Sequence, residues 1–250
     1  MAQTTIDELT KADEAFAGNR LLSTFSREAR ALIEPYGEMI NLEPGEIVLQ
    51  SGAQVEASLF PVGPTMISMT VELSGGRTAE VASVGREGAV GGIVSCGHAP
   101  AFSRAEVLVP GPAFRVPMSS LEEAKSRSHF IGNLFCRFSD FLLAQVMQSV
   151  VCNAFHSIPQ RAARWLLHAQ DRAGDRIELT QEAFAALLGV QRTTVNAVIR
   201  ELSCESLIAT GRGTVRVVDR AGLKRRSCEC YERLQEHFAE VIGTGGIGRA

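Results

Sequence analysis

Between Leu179 and Val218 the spacing of apolar positions changes twice. In LTQEAFAALLG, Phe184, Leu187 and Leu188 fall on one side of a short helix. Thr180 is its N-cap, and Glu182 stands in the first turn, where the positive helix end suits a carboxylate. Gly189 follows the last apolar residue, where a left-handed residue lets the chain turn. A second helix is predicted from Gln191, with Val195, Val198, Ile199 and Leu202 inward. Its other side carries Gln191, Arg192, Thr193, Thr194, Asn196 and Arg200, side chains that hydrogen-bond rather than pack. Leu207-Ile208-Ala209 and Thr214 to Val218, on either side of a turn at Thr210-Gly211-Arg212-Gly213, predict a two-stranded wing. Two short helices across a glycine turn, followed by a hairpin, form a winged helix-turn-helix, a unit that reads duplex DNA.

Residues 1–19 are expected to be a flexible leader. Leu21 to Ile33 has apolar residues at helical spacing. From Gly37 to about Pro117, short runs such as Ile47-Val48-Leu49, Met66-Ile67-Ser68-Met69 and Ala105-Glu106-Val107-Leu108 alternate with Gly- and Pro-bearing turns. That texture predicts a small antiparallel barrel or jelly roll, with the domain spanning 20–127. Ser119 to Phe155 reads as a short helix and then a long one at 128–155. In the long helix Ile131, Leu134, Phe138, Phe141 and Leu142 form a seam, with Gln145 beside them, while Phe130, Phe135, Leu143 and Met147 make other faces apolar. A helix apolar on several sides has two surfaces to bury against, expected to be its own barrel and the same helix of a second subunit. Ile158 to Ala173 is a further helix with Pro159 in its first turn. It opens a DNA-binding domain at 156–235, and 236–250 is expected to be a flexible tail. The fold class is α+β: barrel sensor, long dimerisation helix, winged helix-turn-helix.

The net charge of −3 looks unsuited to DNA until it is divided. His156 to Gln235 holds thirteen Lys+Arg against nine Asp+Glu, a net +4, and the remainder carries −7. A basic module on an acidic body fits phosphate contact by one end of the molecule. Asn133, Arg137, Asp140, Gln145, Gln148 and Asn153 interrupt the long apolar helix, so no membrane span is expected. The polar start MAQTTIDELTKADEAF has no signal-peptide core, which predicts a cytoplasmic protein with six reduced thiols.

With QRAARWLL, LTQEAFAALLGVQRTTVNAVIREL and the late SCECY in that order, the chain resembles the Crp/Fnr family of bacterial transcription regulators. FPVGPTMISM and EVASVGREGAVGG echo a common branch of it in the barrel. The resemblance implies a homodimer paired through the long helix, bound to double-stranded DNA on an inverted-repeat site, contacting RNA polymerase where it activates. It places Arg192 and Thr193 at base-reading positions, and Asn196 at a third. Gln191, Thr194, Thr180 and Gln181 match phosphate-contact or capping positions. Arginine bonding guanine and asparagine pairing with adenine agree independently with those roles. Arg212 and Thr214 suit backbone contacts from the wing. Ala197 replaces the family's next base-reading arginine, so the family's best-known operator does not carry over.

The sensor motif departs from the nucleotide-binding members. Gly91-Gly92 is followed by Ile93 instead of the acidic residue that takes the ribose, and Ser103-Arg104 reverses the phosphate-binding pair. Reversal moves a strand side chain to the other face, so control by cyclic AMP is not expected. No cysteine precedes Cys96, which argues against an N-terminal iron–sulfur cluster, and His98 or Cys96 alone makes a poor haem site. Cys228-x-Cys230 with His237 lacks a fourth ligand, so no metal or other cofactor is expected, and SCECY reads as a helix packed on the DNA-binding unit. Catalysis of the cupin kind needs clustered histidines, and the barrel has His98 alone. The alternative class is a ligand- or redox-sensing interaction protein, which would have a neutral or acidic face in place of Arg192 and Arg200.

Overall fold

The computed structural model describes residues 12–76, 78–93 and 99–243. These pack as two compact units, one from residues up to Ile67 with Val84–Asp140, the other from Ser68–Ser83 with Phe141 onward.

In the first unit, β1 (Glu38–Leu42), β7 (Gly111–Pro117) and β3 (Ala57–Pro61) form an antiparallel sheet in the order β1-β7-β3. The register sets Phe60 opposite Phe114, and both rings are buried. Also in this unit β2 (Ile47–Leu49) pairs antiparallel with β6 (Arg104–Val109), while β4 (Met66–Glu72) and β5 (Thr78–Val84) are neighbouring strands that fall mostly in the second unit. Along β6 burial alternates, with Ala105, Val107 and Val109 inside, as a sheet with one packed face requires. Short strands in antiparallel pairing give the expected antiparallel sensor fold. Next come α3 (Met118–Arg127) and the start of α4 (His129–Phe155), whose Phe135 meets Phe60 edge-on with centroids 6.2 Å apart. Gly88 has to be glycine: a Cβ there would stand 2.0 Å from the Phe138 ring.

The expected leader is a correction. Residues 12–18 form a helix, α1, with Ala15 and Phe16 buried, and residues 1–11 lie outside the described part. Asn19 anchors its end, donating to the carbonyls of Pro61 (2.9 Å) and Gly88 (2.8 Å) and accepting from the Leu21 and Leu22 amides. One amide side chain thus meets three backbone segments whose polar groups would otherwise be buried unpaired. After it comes α2 (Arg27–Arg30), capped by Ser26.

The expected dimer seam is a second correction. Ile131, Leu134, Phe138, Phe141, Leu142 and Gln145 are all buried within the single chain. Phe141, for instance, packs on Phe238 with centroids 5.0 Å apart. The large apolar α4 side chains left exposed are Phe130 near its start and Leu143, Met147, Val150, Val151 and Phe155 toward its end. A 27-residue helix apolar on several sides offers periodicity no means of choosing which face its own chain takes.

In the second unit α5 (Ile158–Ala173) is the central helix, opened by a Ser157/Gln160 capping box with proline in its first turn. Trp165 packs on Phe184 (5.1 Å) and donates its indole N–H to Glu80 on β5, 2.8 Å away. Burial pushes the Glu80 carboxyl up, opposed by bonds from Ser68 and Trp165. Around α5 follow β8 (Arg176–Glu178), α6 (Gln181–Leu188), α7 (Arg192–Cys204), β9 (Ile208–Gly211), β10 (Thr214–Val217), α8 (Arg220–Arg226) and α9 (Cys230–Val241). The wing is three-stranded, in the order β8-β10-β9, where two strands were expected. The tail expected from 236 is helical through Val241, with Phe238 buried.

Asp171 holds this unit together. Its buried carboxylate accepts from Arg220 (2.7 Å), Tyr231 (2.8 Å) and Gln235 (2.8 Å), joining α5 to α8 and α9. Burial raises its pKa, while the bonds from Tyr231 and Arg220 pull it back. Removing the acceptor strands three donors, so Asp171→Ala should cost about 2–4 kcal/mol in chemical denaturation of the purified chain. A loss no larger than that of an exposed-site substitution would show that the network is dispensable.

Candidate nucleic-acid interface

The interface is built from α6, α7 and the wing. Thr180 caps α6, its hydroxyl accepting from the Ala183 amide at 3.1 Å. Gly189 ends the helix at φ 66°, ψ 35°, the left-handed conformation expected there. Gln191 is the N-cap of α7 but makes no side-chain cap bond, and the Thr194 amide closes the first turn on the Gln191 carbonyl at 3.0 Å. Val195, Val198, Ile199 and Leu202 are buried, which turns the opposite side of α7 to solvent.

On that side Gln191, Arg192, Thr193 and Arg200 are exposed, and Thr194 and Asn196 are half-buried. Thr180 and Gln181 are exposed at the start of α6. The wing turns at Arg212 and Gly213 (φ 68°), leaving Arg212 exposed and Thr214 half-buried. A shallow groove of about 230 Å³ draws Thr180, Gln181, Arg192 and Thr214 together. The structure thus gathers all ten expected DNA contacts on the helix-turn-helix and its wing. Arg216, exposed on β10, is a further basic side chain there that the sequence reading omitted.

Charge is divided across this unit. Among the described residues Arg192, Arg200 and Arg212 enter no ion pair. The basic run on α8 is neutralised instead: Lys224 meets Glu232 at 2.6 Å, and Arg226 meets Glu201 and Glu205. Uncommitted guanidinium groups stand ready for phosphate or a base edge, whereas paired ones would first have to give up a partner.

A second group of side chains was only partly expected. Cys228 and Cys230 are joined by Cys152 and His156 from the end of α4, with all four donor atoms within 4.8 Å of one another. The histidine is His156, not the expected His237. Cys96 and His98 lie outside the described residues. Among the described residues, α4 is the one helix long and apolar enough to span a membrane by length and composition.

Residues 160–226 match the Crp-like helix-turn-helix domain. A 71-residue stretch is 38% identical to the HTH-type transcriptional regulator Cmr of Mycobacterium tuberculosis (strain CDC 1551 / Oshkosh). That stretch covers 28% of each protein, so the chain spans little more than a quarter of this relative's length. Among solved structures, FixK2 of Bradyrhizobium japonicum aligns with a TM-score of 0.66 at 16% identity, over 77% of this chain and 98% of that one. A CRP-family transcriptional regulator of Thermus thermophilus aligns with a TM-score of 0.62 at 17% identity, over 75% and 96%. The c-di-GMP-responsive global regulator CLP of Xanthomonas campestris gives 0.59 at 14%, over 75% and 96%. Identities this low establish the fold, and the local sequence match establishes the C-terminal domain. The chain therefore carries a Crp-like helix-turn-helix domain at residues 160–226 on the fold of the Crp/Fnr transcriptional regulators.

Proposed function

We propose that this chain is a non-catalytic, sequence-specific DNA-binding regulator of transcription. In this reading it acts in the cytoplasm as a homodimer on an inverted-repeat site, without control by cyclic AMP, and contacts RNA polymerase where it activates. The observation that carries the reading is the row of uncommitted polar side chains on the outer side of α7, with Arg192 and Arg200 at its two ends. Arg192 and Thr193 in the first turn of the helix read base edges, with Asn196 one turn on. Thr180, Gln181, Gln191, Thr194, Arg212 and Thr214 hold phosphates on either side, and Arg200 adds charge further along.

The pairing surface is reassigned to the exposed side of α4. Leu143, Met147, Val150 and Ala154 are exposed at spacings of four, three and four residues, the repeat of a two-stranded coiled coil. Twofold pairing there presents two recognition helices to successive major grooves.

In the sensor domain, Arg104 is paired with Glu106 at 2.5 Å on its own strand, which favours a structural over a phosphate-binding role. Isothermal titration with cyclic AMP and with cyclic GMP should therefore show no saturable binding, and tight saturable heat with either would contradict this.

A salt-dependent mobility-shift assay tests the function. Wild-type protein should bind an operator with affinity that falls steeply as salt rises. Arg192→Ala should lose about 1–3 kcal/mol at one base position while binding to random DNA changes little. Equal losses on both DNAs would move Arg192 to phosphate contact, and no binding in dilute buffer would end the proposal.

Met147→Glu combined with Val150→Glu should give a folded monomer with operator affinity down by at least about tenfold, since each half-site then binds alone. A dimer persisting in light scattering would rule out this face.

A further inference from the structure

We propose that Cys152, His156, Cys228 and Cys230 form a four-ligand site for a zinc-type divalent metal ion, joining the end of α4 to the start of α9. Cys152 and His156 are four residues apart and so lie on one side of the helix end. Cys228 lies in the link between α8 and α9, and Cys230 is the first residue of α9.

The distances fit. A tetrahedral ion with bonds of about 2.3 Å to sulfur and 2.0–2.1 Å to nitrogen sets its donors roughly 3.5–3.8 Å apart. Cys152 Sγ is 3.5 Å from Cys228 Sγ, and Cys230 Sγ is 3.4 Å from His156 Nδ1. The remaining separations stay within 4.8 Å, a small contraction away.

The surroundings fit as well. His156 Nε2 lies 3.3 Å from a Glu229 carboxylate oxygen, a partner for the Nε2–H that a histidine bound to metal through Nδ1 would carry. Gln148 donates to Cys230 Sγ at 2.9 Å, as suits a thiolate ligand. All three cysteines are buried and His156 nearly so, which makes this a closed structural site rather than a surface chelator.

A disulfide is the competing use of these thiols. A Cys152–Cys228 bond would employ two of the donors and leave Cys230, His156 and the Glu229 and Gln148 contacts without a role. Binding forms three metal–sulfur bonds and one metal–nitrogen bond, and each cysteine that enters as a thiol releases its proton to solvent. No electron is transferred. In the fold the ion clamps the long helix to α9, whose Tyr231 and Gln235 grip Asp171.

Elemental analysis of the reduced full-length chain tests the site, with no dependence on DNA binding. The expected content is about one zinc per chain, with cobalt replacing it to give the intense visible bands of a tetrahedral thiolate complex. Cys152→Ser and Cys228→Ser should each weaken zinc binding more than about tenfold, and Cys204→Ser, at an exposed cysteine, should change nothing. Should those variants fail to fold, thiol counting on the wild type decides: zinc should protect three cysteines from alkylation and a chelator should expose them. Failure of the reduced chain to take up zinc or cobalt, metal content unchanged in the folded variants, or a Cys152–Cys228 disulfide in the isolated protein would overturn the proposal.

Discussion

The recognition surface depends on the burial of one side of a thirteen-residue helix. Val195, Val198, Ile199 and Leu202 are removed from water, and that fixes the rotation of α7 about its axis. Arg192, Thr193 and Arg200 then have solvent as their one available direction. A rotation that exposed the apolar residues would cost several kcal/mol, at about 1.5–3 kcal/mol for each side chain. The polar face needs no contact of its own to be held outward. The left-handed Gly189 sets where α7 begins, and the Asp171 network holds α8 and α9 against α5. Rigid elements carry these side chains, so the surface proposed to meet DNA is placed in advance of any contact.

The division of charge follows from the same geometry. Residues on the back of the unit lie near acidic groups of neighbouring helices, and Lys224 and Arg226 are consumed by Glu232, Glu201 and Glu205. On the outward face, Arg192, Arg200 and Arg212 have no acidic partner among the described residues. Net charge therefore understates the affinity for DNA, because the cations that count are the unpaired ones.

The helix-turn-helix was legible because its determinants are local. Cap, apolar stripe, left-handed glycine and polar face all lie within about 25 residues, and each follows from spacing alone. Elements that depend on distant partners were not. Strand β8 is three residues long with Ile177 alone buried, and it exists because β10 pairs with it. Residues 12–19 look like a leader, yet Asn19 finds its partners at Pro61 and Gly88. The apolar character of α4 was evident, but which face its own chain would cover was not, since Phe138 and Met147 are equally hydrophobic in one dimension. The Cys/His quartet was half visible. CxC marked two donors, while Cys152 lies 76 residues from Cys228 and no motif links them.

The central claim is that α7 reads sequence from two copies of the chain at once. In vitro selection from random duplex DNA with the purified full-length protein tests this directly. The account predicts enrichment of an inverted repeat with half-sites centred about 10 base pairs apart, or a multiple of that spacing, each half containing a guanine for Arg192. Recovery of unenriched sequence, or of a single unrepeated half-site, would contradict it.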